Sequence, residues 1–211
     1  MNMLKNMLVV LTLGTMFAFP ACGSAETSPT QTVHESVDAI LELLRDHTLE
    51  QADRRAKIRA HINKRFDFKA MSQRTLATNW KHATEQERQK FIELFSQLIE
   101  NTYLGKIEAY TNEKVEYPGE KVKGNKALVE TLIIAASADI PVDYKLYKKG
   151  DAWWVYDVII EGVSLVSNYR SSYQEIVKNE GFDGLLAKMQ EKIDELRSTP
   201  APAPADSATA S

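Results

Sequence analysis

The hydrophobic period of this chain changes twice, and that change limits the folds open to it. From Val33 to Ile107 apolar residues recur every three to four positions, between Lys114 and Ile160 they follow strand patterns, and beyond Ser164 the longer spacing returns. Ile140, Val142, Tyr144 and Leu146 alternate with Pro141, Asp143, Lys145 and Tyr147, which predicts a strand with one buried face. Lys149-Gly150-Asp151 is a turn, and Trp153 to Ile160 is a further strand, apolar on both faces apart from Asp157 and the Tyr156 hydroxyl. Leu128 to Ala136 is an apolar run broken only by Glu130 and Thr131, while Lys114 to Pro118 and Lys121 to Lys123 are short turn-flanked segments. Connections this short predict antiparallel hairpins. Helices, then strands, then helices make an α+β protein, with about four antiparallel strands packed against several helices in one domain.

The helical blocks carry their own signals. Val33, Val37, Ile40, Leu41 and Leu44 form one amphipathic stripe. A helix over about 50–64 carries Arg54, Arg55, Lys57, Arg59 and Lys64, with Arg65 just beyond. Those cations are either a solvated face or a docking face for anionic headgroups or an acidic partner, the latter worth ~1 kcal/mol per Lys or Arg near an anionic membrane. Phe66-Asp67-Phe68 interrupts, and Met71, Leu76 and Trp80 predict a short third helix. Thr84 and Glu87 form a capping box that opens a long helix to about Tyr110. Phe91, Leu94, Phe95 and Leu98 make one stripe on it, and Ile92, Ile99, Tyr103 and Ile107 a neighbouring one. Two adjacent stripes need a wide buried face. Ser164 is placed to cap a helix to about Asn179, Gly181 stops it, and a last helix runs from Asp183 to Leu196.

The ends are of a different kind. Lys5 precedes an apolar run from Met7 to Phe19, and the small residues of Ala21-Cys22-Gly23-Ser24-Ala25 follow. That is the layout of a secretory signal, shorter than the ~20 residues a membrane span needs. Residues 1–25 are therefore expected to be removed on export, leaving a domain over 26–197. Cys22 also resembles a bacterial lipoprotein acylation site, so a lipid anchor is the alternative to a soluble exported form. Residues 198–211 hold Pro200, Pro202 and Pro204 at alternating positions and no apolar period, as in an extended disordered tail. The net charge of −3 from 26 basic and 29 acidic residues becomes −4 without residues 1–25, which hold one Lys and no acid. No nucleic-acid partner is expected of such a balance.

No catalytic constellation emerges. The four histidines, His34, His47, His61 and His82, form no metal-ligand spacing, and His34 with Asp38 reads as a solvent-facing pair. There is no GxSxG and no Gly-rich phosphate loop, and no metal or cofactor is expected. Asp157 is the sharpest candidate acid. It is expected to share a strand face with Trp153, Val155 and Ile159, either as a general base in a sheet-lined pocket or paired with Arg170 or another local donor. The apolar excess around the doubly striped helix reads as a thick core or as a cavity for an apolar ligand.

From Trp153 to Arg170 the chain resembles the MlaC family, also called toluene-tolerance proteins. It meets every specified position of the pattern W-x-V-Y-D-V-x-x-E-G-V-S-L-V-x-N-Y-R. Phe66, Asp67, Phe68, Met71, Leu76, Trp80, Thr84, Gln86 and Phe91 resemble the family's helical segment, so the likeness spans about residues 33–195. Trp154, where the family usually has a polar residue, the Pro/Ala tail and Cys22 depart from it. The resemblance implies an NTF2-like fold, a curved antiparallel sheet with helices enclosing a pocket for acyl chains. It implies a non-enzymatic periplasmic phospholipid carrier of a Gram-negative bacterium that maintains outer-membrane lipid asymmetry. The implied partners are an inner-membrane ABC transporter with an MCE-domain subunit and an outer-membrane lipoprotein complex; phospholipid is cargo, not cofactor. The alternatives are an NTF2-like enzyme using Asp157 and a lipid-anchored envelope assembly factor. On that reading the expected chain-contacting residues are Phe91, Phe95, Leu98, Tyr103, Ile133, Val142, Tyr144, Val155, Ile160, Val163 and Val166. Tyr169 and Arg170 are expected near the mouth, with Arg170 touching a phosphate or pairing with Asp157.

Overall fold

A computed structural model describes residues 27–108, 113–135 and 138–198. The expected signal segment with Cys22, the tail beyond Ser198, the helix end at Tyr110 and the strand end at Ala136 lie outside the described residues. Ser198 itself, assigned to the tail above, closes the last helix.

Helix α1 (Pro29–Arg45) starts where the Ser28 hydroxyl accepts the Gln31 N–H at 3.0 Å. It returns as α2 (Gln51–Asn63), and Leu44, Ile58 and the later Leu104 form a small core between them. Asp67 caps α3 (Phe68–Leu76) by accepting the Ala70 N–H at 2.8 Å; α4 (Asn79–His82) is a single turn. The capping box forms as expected: the Thr84 hydroxyl accepts the Glu87 N–H at 3.2 Å, and the Glu87 carboxylate accepts the Thr84 N–H at 2.6 Å. The Thr84 hydroxyl also donates to that carboxylate at 2.7 Å, and this bond, with the backbone one, holds the Glu87 pKa below its usual value. From there α5 runs Glu85–Glu108.

The sheet has five strands: β1 (Lys114–Lys123), β2 (Lys126–Ile134), β3 (Asp139–Lys149), β4 (Ala152–Ile160) and the two-residue β5 (Val163–Ser164). Spatial order equals chain order and every pairing is antiparallel, as the short connections require. Gly124 and Gly150 supply the positive φ that the tight turns demand. The two short segments expected before Leu128 are one strand. Its register shifts between Glu116 and Gly119, which accommodates Pro118 on a strand at the sheet's edge.

A second register shift matters more. Lys145 pairs with Asp157 and Leu146 with Val155, so Tyr156 is an extra residue, a bulge. Before it Trp153 and Val155 face inward; after it Val158 and Ile160 do, because each side chain beyond the bulge changes face. Asp157 therefore does not share a face with Trp153 and Val155 as the plain alternation predicts. It is only 4% exposed all the same, because the start of α6 (Leu165–Ser198) covers it. Its carboxylate accepts from Lys145 Nζ at 3.1 Å, Ser164 Oγ at 2.7 Å and the Val166 N–H at 3.1 Å. The Ser164 hydroxyl in turn accepts the Ser167 N–H at 3.1 Å, the cap expected for this helix. Arg170 is not Asp157's partner; its Nε donates to the Arg74 carbonyl at 2.8 Å. Gly181 (φ 71) kinks α6, so the two helices expected there abut instead of being separated by a loop.

Asp157→Ala leaves the Val166 N–H and the Ser164 hydroxyl without their acceptor. Urea denaturation should show a loss of about 2–3 kcal/mol, against about 1 kcal/mol for Ser164→Ala.

Candidate functional site

The main core and the main cavity divide the inner face of the sheet between them. At one end Ala127, Leu146, Val155 and Trp153 are buried against the helices. At the other, Ile133 of β2, Ile140, Val142 and Tyr144 of β3, and Val158 and Ile160 of β4 line a cavity of about 650 Å³. Cross-strand pairing groups these residues: Ile133 opposes Ile140, Val142 opposes Ile160 and Tyr144 opposes Val158. Ile99, Tyr103, Leu104 and Ile107 of α5, with Ile62 of α2, supply helical walls; Phe66, Phe68 and Leu165 complete the apolar part of the lining.

The two stripes of α5 thus have separate fates. Phe91, Leu94, Phe95 and Leu98 are packed solid; the Phe91 and Phe95 rings stack at 5.5 Å and meet Tyr173 edge-on at 5.8 and 6.4 Å. In the neighbouring stripe Ile99, Tyr103 and Ile107 line the cavity, and Ile92 does not.

Polar groups gather on part of the cavity's lining: Arg59, Asn63, Ser96, Gln97, Glu100, Lys106, Glu161 and Arg197. Arg59 Nε donates to Glu100 at 2.6 Å, and Arg197 Nη2 donates to the Gln97 side-chain oxygen at 3.0 Å. One turn along α2, Arg55 grips Glu108 through two bonds of 2.9 and 2.6 Å. These bonds raise both guanidinium pKa values. The basic helix is therefore neither wholly solvated nor wholly available for docking. Arg55 and Arg59 tie α2 to α5 across the cavity wall, and Arg65 lies 3.8 Å from Glu35.

Of the thirteen residues expected at the site, the structure brings Tyr103, Ile133, Val142, Tyr144 and Ile160 together around the cavity. Phe91, Phe95, Leu98, Val155 and Val166 sit in the filled core. Val163 is 54% exposed on β5, Tyr169 packs edge-on to Phe95 at 5.5 Å, and Arg170 reaches the end of α3. Sequence reasoning missed Ile62, Phe66, Phe68, Ile99, Leu104, Ile107, Ile140, Val158, Leu165 and the polar lining. Ile99 and Ile107 were visible in the second stripe and Phe66 and Phe68 at the helix break, but Val158 was hidden by the bulge.

The class defined here is an α+β protein in which an open antiparallel sheet and its helices hold an apolar chamber with a polar flank. The MlaC protein family model matches residues 34–191, most of the chain, and the chain belongs to that family. The intermembrane phospholipid transport system binding protein MlaC of Haemophilus influenzae is 26% identical over 203 residues, 91% of this chain and 95% of that protein. The solved structure of a phospholipid-binding protein from Ralstonia solanacearum in complex with a phospholipid has the same fold. Its TM-score is 0.70 at 23% identity, over 80% of this chain and 98% of that one.

Burial raises the pKa of Tyr144 from 10.0 to about 12; it also raises that of Tyr103, where Tyr169 adds to the effect. Between these pH values the unfolded chain has lost the proton that the folded chain keeps, so the folded state loses stability as pH rises. Denaturation midpoints should fall from pH 10 to 12, and the absorbance of tyrosinate should lag behind that of an unfolded control.

Proposed function

We propose that this chain is a non-enzymatic periplasmic phospholipid carrier, holding acyl chains in the chamber and moving lipid between the two membranes of a Gram-negative envelope. The observation that carries this reading is an apolar chamber bounded by Val142, Tyr144, Val158, Ile160, Tyr103 and Ile107 in a member of the MlaC family. A water's share of liquid volume is about 30 Å³, and a methylene is of similar size. The chamber therefore takes about twenty methylenes, one long acyl chain and part of a second. At ~0.8 kcal/mol each, their burial is worth on the order of 16 kcal/mol relative to water. A bilayer offers a similar gain, so transfer between bilayer and chamber is close to balanced while release into water is barred.

Exchange then has to take place while the carrier is docked, and direction has to come from the partners, since a carrier alone has no energy source. The partners of this reading are an inner-membrane ABC transporter with an MCE-domain subunit and an outer-membrane lipoprotein complex, acting together to maintain lipid asymmetry. The lysine and apolar run at the N-terminus support export, with acylation at Cys22 the alternative that an intact mass decides. No cofactor is needed. An enzymatic role for Asp157 is disfavoured by its position: its carboxylate is taken up by Lys145, the Ser164 hydroxyl and the Val166 N–H, and it does not line the chamber.

Native mass spectrometry of the purified protein should find one phospholipid per chain, and organic extraction should release it. Val142→Trp and Ile133→Trp, which direct bulk into the void, should each cut loading from liposomes at least tenfold with the unfolding midpoint close to that of the parent. Unchanged loading in both, or parent protein free of lipid after incubation with liposomes, rejects the reading.

A further inference from the structure

A second hollow, a groove of about 490 Å³, lies against the chamber. Asn63, Phe66 and Phe68 line both, and so form a common wall. The backbone of that wall is pinned to β4, with the Asp67 N–H donating to the Val155 carbonyl at 2.9 Å and the Val155 N–H to the Arg65 carbonyl at 2.8 Å. The rings are less constrained. Phe66 and Phe68 are half-buried and stacked at 6.1 Å, and each turns about its own side-chain bonds without moving the main chain.

The far side of the wall has a different chemistry. Lys69, Tyr147, Lys149 and Trp154 line the groove. The Lys149 ammonium lies 5.8 Å from the Trp154 ring centre, on a side chain 66% exposed, and Lys69 is exposed. The acid among them, Asp67, is engaged by the protein: one carboxylate oxygen accepts the Ala70 N–H at 2.8 Å, the other accepts the Tyr147 hydroxyl, and Lys149 stands 3.8 Å away. Two lysines beside a tryptophan and a tyrosine match the glycerol and phosphate layer of a lipid, where aromatic rings and cations meet one apolar end and one anionic end. An acyl chain fits such a half-polar lining poorly.

We infer that this groove is a second opening of the lipid chamber, in which Lys69, Lys149 and Trp154 hold the phosphodiester headgroup of a phospholipid whose chain passes between Phe66 and Phe68. The inference rests on the carrier reading and adds a portal on the side of the chamber bounded by α3 and the β3–β4 turn. Trp154, the position that departs from the family pattern, is then part of this chain's headgroup contact.

The test uses the full exported chain with 5-fluorotryptophan at Trp80, Trp153 and Trp154, the Trp154 fluorine signal being assigned by its loss in Trp154→Phe. Protein is loaded from vesicles of phosphatidylcholine carrying a nitroxide on the choline. The Trp154 signal should lose at least half its intensity relative to unlabelled lipid, and Lys69→Glu/Lys149→Glu should restore at least half of that loss. Soluble nitroxide-labelled glycerophosphocholine at equal concentration should leave the signal unchanged; equal broadening by it would detach the groove from the chamber and overturn the inference. An unaltered Trp154 signal in protein that native mass spectrometry shows to hold one labelled lipid overturns the portal and leaves the carrier reading standing. No bound lipid at all overturns both.

Discussion

The extra residue in β4, Tyr156, governs how the inner and outer faces of this sheet are used. Without it, strict alternation from Trp153 would turn Asp157 and Ile159 inward and Val158 and Ile160 outward. With it, the two aliphatic side chains enter the chamber, opposite Tyr144 and Val142, and Asp157 moves to the outer face under α6. The carboxylate then becomes an anchor, holding the Val166 N–H and the capping serine of α6. Leu165, the first residue of that helix, lines the chamber, so the same bulge that opens the apolar face also positions one of its walls. Keeping a buried carboxylate bonded on several sides avoids the cost of an unpaired charge.

Empty space beside a close-packed core needs a wall that does not collapse. Phe91, Phe95 and their aromatic neighbours fill one end of the sheet and fix α5 there, while further along the same helix Tyr103 and Ile107 stand over unfilled volume. The Arg55–Glu108 and Arg59–Glu100 pairs span the gap between α2 and α5. Partly exposed ion pairs of this kind contribute modestly to stability. Their use here is geometric: Arg55 meets both Glu108 oxygens and Arg59 meets one Glu100 oxygen through two nitrogens, contacts that set spacing and orientation.

Much of this was legible in the chain. The element order, the antiparallel hairpins, the capping box at Thr84 and the cap at Ser164 follow from local chemistry, because a turn or a cap is decided by residues within a few positions of it. The candidate site was half legible. Tyr103, Ile133, Val142, Tyr144 and Ile160 could be named from alternation and helical face. Phe91, Phe95 and Leu98 obey the same periodicity and lie in filled core. Burial in a core and burial around a cavity leave the same pattern in a sequence, since both require only that a side chain be apolar.

Local periodicity and the MlaC pattern from Trp153 to Arg170 thus determined what kind of protein this is: an α+β domain, its family, and the faces its helices and strands turn inward. Tertiary structure alone decided which part of that inward surface is hollow. It decided that Asp157 braces a helix, that Arg55 and Arg59 bind α2 to α5, and that Phe66 and Phe68 stand between two hollows. Each of these depends on contacts between residues far apart in the chain, or on one bulge whose single extra residue leaves no separate mark in the composition of its strand.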